Sequence, residues 1–162
     1  MACFSKFFLL VAITFLSALV FAGNGHQDRI QALIDADIEP DGVVFEIVSG
    51  DGRFLDWALQ EADRLTKQLR SKYPGLDVAI VSHGREQFAL TRRRLAGNAA
   101  LKQQLQGLLD TDVQVHVCGT HAAWNGVDAA EFTELVDVSV TGPAQINDYV
   151  KLGYEKIRIV RQ

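Results

Sequence analysis

The chain has 162 residues, with 16 Lys and Arg against 20 Asp and Glu, a formal net charge of −4 at pH 7. That length supports a single domain with its own core, and the acidic balance disfavours nucleic acid as a partner.

The chain opens MACFSKFFLLVAITFLSALVFAGNG. Lys6 precedes an uncharged, largely apolar run from Phe7 to Val20, and Val20 and Ala22 suit a cleavage after Ala22. The run is shorter than the ~20 apolar residues a membrane span needs, so it reads as a secretory signal peptide over residues 1–22. Cys3 has no lipoprotein-type context. Cleavage removes Lys6 and no acid, so the mature chain is one unit more negative and is expected in the periplasm or secreted. Cleavage also leaves Cys118 as the sole cysteine, which rules out an intrachain disulfide. Oxidising compartments convert exposed thiols, so Cys118 is either buried and inert or present for its reactivity.

Residues 23–42 form a polar lead-in with a short helical turn around Ile30 to Ile34, ended by Pro40 and Gly42; His26 reads as a solvated loop residue there. The domain proper spans residues 43–162. VVFEIVS (Val43 to Ser49) is β-branched and nearly all apolar, as in a strand covered on both faces. A tight SGDG turn leads into a helix with Phe54, Ala58, Ala62, Leu65 and Leu69 on one stripe, Trp57 packing beside it, and Pro74-Gly75 as its stop. DVAIVSHG (Asp77 to Gly84) is a second buried strand. Glu86 to Asp110 is helical with a break at Gly97-Asn98, where Asn98 caps a helix bearing Leu101, Leu105 and Leu108. VQVHVC (Val113 to Cys118) and VDVSVTG (Val136 to Gly142) are the third and fourth strands. Pro143 opens a helix closed by Gly153, and KIRIV is a fifth, more exposed strand.

Alternation of strand and helix throughout predicts an α/β fold, a parallel sheet with helices on both faces. Ligand chemistry in such sheets gathers at the carboxyl ends of the strands. Four Gly-bearing loops should share that rim: Ser49 to Gly52, Ser82-His83-Gly84, Cys118 to His121, and Thr141-Gly142-Pro143. Cys118 ends its strand, and Gly119 lets the chain turn. A helix starting at Thr120 would bring backbone N–H groups to the thiol and favour thiolate, with Gly119 and Thr120 amides near the sulfur. His121 offers thiolate support, His83 ends the neighbouring strand as a candidate substrate contact, and Trp124 could wall a pocket or an oligomer contact. His116 shares the strand face of Cys118 by alternation and reads as structural.

Other chemistries fit less well. His83, His121 and Cys118 match no zinc spacing, so no metal is expected. The SGDG turn lacks the spacing and the lysine of a phosphate loop, and neither Ser49 nor Ser82 has a G-x-S-x-G setting. A Cys-His hydrolase on Cys118 with His121 or His83 would need an orienting third group that the sequence does not identify. Arg92-Arg93-Arg94 reads as a solvated face.

The segment DVQVHVCGTHAAWNGVDAAEF, followed by a β-branched strand, Gly-Pro and a helix ending at Gly153-Tyr154, resembles the DsrE/DsrF-like family, which includes sulfur-relay proteins of the DsrE and TusD type. The resemblance runs from Val43 onward and implies a three-layer α/β/α domain with a five-stranded, mostly parallel sheet, assembling as a homo-oligomer, trimer or hexamer. It also implies that Cys118 carries persulfide sulfur; donor and acceptor are expected to be proteins or small sulfane-sulfur compounds, with Gly119, Thr120, His83 and Trp124 read from their rim positions as the residues around the substrate and no cofactor expected. A single thiol suits relay better than a CxxC pair, which would release the sulfur as its disulfide formed. The competing reading is a non-catalytic oligomeric module binding a small ligand, with a structural cysteine. The relay reading expects Cys118 to be solvent-accessible on the rim.

Overall fold

A computed structural model describes residues 25–161, so the signal-peptide segment and Cys3 lie outside the described residues. The lead-in is more structured than its polarity implies. Helix α1 (Gly25–Asp35) buries Ile30 completely against the main core, with Leu33 and Ile34 packed beside it. Ile30, Leu33 and Ile34 stand at the three- and four-residue intervals of a helix face, and burying an isoleucine contributes about 1.5–3 kcal/mol. His26, expected in solvent, is buried instead and its Nε2 meets Glu61 Oε1 at 3.1 Å. The Tyr73 hydroxyl donates to the Leu33 carbonyl at 2.9 Å, a further tie between this helix and the domain.

Five strands follow: β1 (Gly42–Ile47), β2 (Val78–Ser82), β3 (Val113–Cys118), β4 (Asp137–Ser139) and β5 (Tyr154–Ile159). They lie in the order β4-β3-β2-β1-β5, and every pairing is parallel. Helices α2 (Phe54–Lys72), α3 (Arg92–Ala96), α4 (Ala99–Leu109), α5 (Gly119–Trp124) and α6 (Gly142–Lys151) connect them. The chain steps from β1 to β4 in one direction, then returns across the sheet to β5. Right-handed crossovers put the outward connections on one face and the return connection on the other. Accordingly α2, α4 and α5 contribute Leu59, Leu105 and Ala122 to the large core, while α6 covers the opposite face through Ile146 and Tyr149 against Val44, Ala79 and Val81. This is a three-layer α/β/α sandwich.

Some element boundaries move. The segment expected as one broken helix from Glu86 starts as a 3₁₀ stretch, Arg85–Leu90, before α3 and α4. The break is where the sequence puts it, with Asn98 Oδ1 accepting the Leu101 N–H at 3.0 Å. The fourth strand shrinks to three residues because Thr141 leaves the sheet to cap α6, its Oγ1 accepting the Ala144 N–H at 3.1 Å. Trp57 is half-buried and packs against Phe54, with the Arg161 guanidinium 4.8 Å above its ring.

Candidate functional site

The site is built from the register of β3 and its neighbours. Gln114, His116 and Cys118 alternate onto the face covered by α6, whereas Val113, Val115 and Val117 enter the large core. Ser82 pairs with Val117 and Ser139 with Cys118, so His83, the next residue after β2, stands beside Cys118 on the same face. The His83 N–H still donates to Ile47 O at 3.0 Å, which continues the sheet ladder past the end of β2. The start of α6 closes over this row. A Cβ built on Gly142 would stand 2.5 Å from the His83 Cβ and 3.4 Å from the Cys118 Cβ, so only glycine fits between them.

Cys118 is less open than its rim position implies: it is 4% exposed. The segment from β4 into α6 lies across it, held by the Thr120 N–H and hydroxyl, which both donate to the Val140 carbonyl at 3.0 and 2.8 Å. The amide at the sulfur is therefore not that of Gly119 or Thr120. Cys118 caps α5, and its Sγ accepts the His121 N–H at 3.3 Å. His121 contributes this backbone group while its ring turns away, stacking on Phe88 at 5.7 Å with Nε2 buried and unpartnered.

His83 has a partner the sequence does not identify. Its Nε2 lies 3.1 Å from Glu46 Oε1, and Lys156 Nζ stands 3.8 Å from the other oxygen of that carboxylate. A carboxylate only accepts, so Nε2 carries the proton and Nδ1 has the free lone pair in the neutral ring. Glu46 on β1 thus fixes the orientation of the His83 ring beside Cys118. Gly119 and Thr120 line an open groove of about 630 Å³ with Ala123, Val138 and Val140, while Trp124 projects into solvent at 80% exposure. The structure thus sets His83 beside Cys118, puts Gly119 and Thr120 in a groove that neither of those two lines, and leaves the His121 ring and Trp124 facing elsewhere. Among the described residues no group of His, Cys, Asp and Glu is arranged to hold a metal ion.

Two further residues organise the rim and carry no motif. Glu86 and Gln87 are wholly buried on the 3₁₀ stretch. Glu86 accepts the Ser49 N–H at 2.6 Å, the Gly84 N–H at 2.8 Å and the Ser82 hydroxyl at 2.8 Å, which joins the ends of β1 and β2. Gln87 brackets Cys118: Oε1 accepts its N–H at 2.7 Å and Nε2 donates to its carbonyl at 3.4 Å. Amides freed where strands stop need acceptors, and the polar Glu86-Gln87 pair just after the Ser82-His83-Gly84 loop is the only sequence signal for them. The SGDG turn is a local one, with Ser49 Oγ and Asp51 Oδ1 accepting the amides of Asp51 and Arg53 at 3.1 and 2.9 Å.

On the same sheet face, Tyr149 donates to Gln114 Oε1 at 2.8 Å and so accepts from His116 Nε2 at 2.7 Å. Burial pushes the Tyr149 hydroxyl up to about 12 and lowers the His116 imidazole, with the Asp137 carboxylate opposing the latter. This network is structural, in line with the reading of His116 from strand alternation.

Comparison with known proteins agrees with this fold. No curated protein matches the chain. Two solved structures share the fold: the protein of unknown function MTH1491 from Methanobacterium thermoautotrophicum, at 20% identity and a TM-score of 0.59, covering 72% of this chain and 97% of its own, and the ychN protein from E. coli, at 18% identity and 0.52, covering 73% and 99%. The family model for the DsrE/DsrF-like family matches residues 50–159, a span that includes His83, Cys118 and α6, and the chain belongs to that family.

Proposed function

We propose that the mature chain is an exported carrier of sulfane sulfur that uses Cys118 as its attachment point. The observation that carries this reading is the row at the carboxyl ends of β2 and β3, where the sole cysteine of the mature chain stands beside His83 with the His121 N–H on its sulfur. In the forward step the Cys118 thiolate attacks the terminal sulfur of a donor persulfide, R–S–SH. A new S–S bond forms at Cys118, the donor S–S bond breaks, and the donor leaves as R–SH. In the return step an acceptor thiolate takes the outer sulfur and Cys118 departs as thiolate, so no external oxidant or reductant enters. His83, its ring held by Glu46, supplies the base that takes the Cys118 proton before attack. Donor and acceptor are proteins or small sulfane-sulfur compounds. The exposed Trp124 and Val140, at 80% and 84%, with Val140 directly after the short β4 edge strand, support work as a homo-oligomer.

The 4% exposure of Cys118 favours a second reading, a ligand-binding module with a structural cysteine. One experiment separates the two. Mature protein is incubated with polysulfide and weighed by mass spectrometry beside Cys118→Ser. The carrier reading expects the wild type to gain sulfur atoms and the variant none. No gain in the wild type, or equal gain in both, removes the carrier reading. A thiol reagent that labels Cys118 only after denaturation supports the structural one.

A further inference from the structure

The arginines read from sequence as a solvated face are indeed exposed, as is Arg85, and together they line an open hollow. Arg92, Arg93 and Arg94 of α3 and Arg85 at the start of the 3₁₀ stretch surround a space of about 320 Å³, with Phe88 and Glu131 also in its wall. Successive residues of a helix point in different directions, so three adjacent arginines share one cavity only because Arg85 and the loop after α5 complete its other sides. Leu95, 3% exposed, pins α3 to the core and fixes that orientation.

The charge in this cavity is unbalanced. Among the described residues none of the four guanidiniums forms an ion pair with a carboxylate. Arg92 donates to the Ala130 carbonyl, a neutral partner. The one acid in the wall, Glu131, is engaged by the backbone of the same turn, accepting the Asp128 N–H at 2.9 Å in a capping box. Arg92 is held by a carbonyl and Arg94 also borders a neighbouring cavity with Asp51 and Asp56, so Arg85 and Arg93 are the guanidiniums most available to an anion. A quarter of the chain's 16 basic residues therefore meets in one place on a protein whose net charge is −4. Like charges gathered without counter-charge repel one another, a cost that a bound anion removes.

We propose that this cavity binds a small organic molecule bearing two or more carboxylate or phosphate groups. The guanidinium fork matches both groups in bidentate geometry. The volume falls at the lower end of the roughly 300–1,000 Å³ typical of small-molecule sites and exceeds what a lone inorganic anion fills. Phe88 and Val127 give the ligand's carbon frame an apolar wall. The site is on the Phe88 side of His121, across the sheet from the thiol row, and it does not depend on the role of Cys118.

The test is calorimetric titration of the mature protein with citrate, with a phosphorylated sugar, and with inorganic phosphate and acetate as controls. Saturable binding of citrate or the sugar phosphate that weakens with added salt is expected, with inorganic phosphate and acetate weaker. The double variant Arg85→Gln/Arg93→Gln is expected to lose about tenfold or more in affinity, because each guanidinium supplies charge-assisted hydrogen bonds to the anion. Lys102→Gln, on the exposed side of α4, should leave affinity unchanged. Absence of saturable binding, equal affinity in the double variant, or equal loss in Lys102→Gln overturns the site. Inorganic phosphate binding as tightly as both organic probes overturns the organic assignment.

Discussion

The side-chain amide of Gln87 holds the backbone of Cys118 at both of its polar groups, accepting from the N–H at 2.7 Å and donating to the carbonyl at 3.4 Å. β2 has ended by this level of the sheet, and a primary amide from the 3₁₀ stretch acts as the missing peptide group. Gln87→Ala should therefore destabilise the protein by about 2–4 kcal/mol, because it leaves two buried backbone groups unpaired as well as a cavity. Chemical denaturation with an unchanged slope would measure it. A loss below about 1 kcal/mol would mean that water or a neighbour replaces the amide.

Glu86 performs the parallel task for β1 and β2, with three donors directed at one buried carboxylate. Glu86→Gln keeps the shape but turns an NH₂ group toward a donor. Its expected cost is about 2–3 kcal/mol, since hydrogen bonds to a charged group are the stronger kind. Ser82→Ala removes only one of the three and should cost about 1 kcal/mol, so the ratio of the two losses is itself a check.

Gly142 separates His83 from Cys118. Gly142→Ala should destabilise by about 1–3 kcal/mol through overpacking, since its new Cβ would meet the His83 Cβ at 2.5 Å. The same change at Gly107, where a Cβ meets nothing within 4 Å, should be neutral or slightly stabilising in the helix. Thermal melts of the two variants provide the comparison.

The His83–Glu46 pair predicts a kinetic signature at the thiol. His83→Gln should slow alkylation of Cys118 by iodoacetamide near neutral pH by about tenfold or more, the lower range of general-base effects. Glu46→Gln, which leaves the imidazole present but poorly held, should give an intermediate rate. At strongly alkaline pH, where hydroxide removes the proton, the three proteins should converge. Rates that coincide at every pH would exclude His83 from proton transfer.

His116 sets a pH dependence of stability. Burial lowers its imidazole below the ordinary 6.5, so the unfolded chain binds the proton more readily than the folded one. Its contribution is fully present above pH 6.5 and is lost as the pH falls from there through the folded value, below which the penalty is constant. The melting temperature should therefore fall more between pH 7.5 and 5.5 in wild type than in His116→Gln. Asp137→Asn, which removes the opposing carboxylate 4.0 Å from Nδ1, should steepen the wild-type fall.

Much of this protein is decided locally. The β-branched runs at Val43, Val78 and Val113, the apolar stripe of α2 and the Asn98 cap each carry their own periodicity or capping chemistry, so a parallel α/β sandwich with Cys118 at a strand end is legible in the sequence. The burial of α1 is not, because its polar residues are satisfied by Glu61 and Glu155 far along the chain. The surroundings of the thiol are equally non-local. His83 joins Cys118 through strand register, Glu46 reaches His83 from a third strand, and Gln87 closes on Cys118 across 31 positions. The exposure of the sulfur depends on where α6 begins over the sheet. A strand end places a cysteine; the pairing of strands and the packing of one helix across them decide what that cysteine touches.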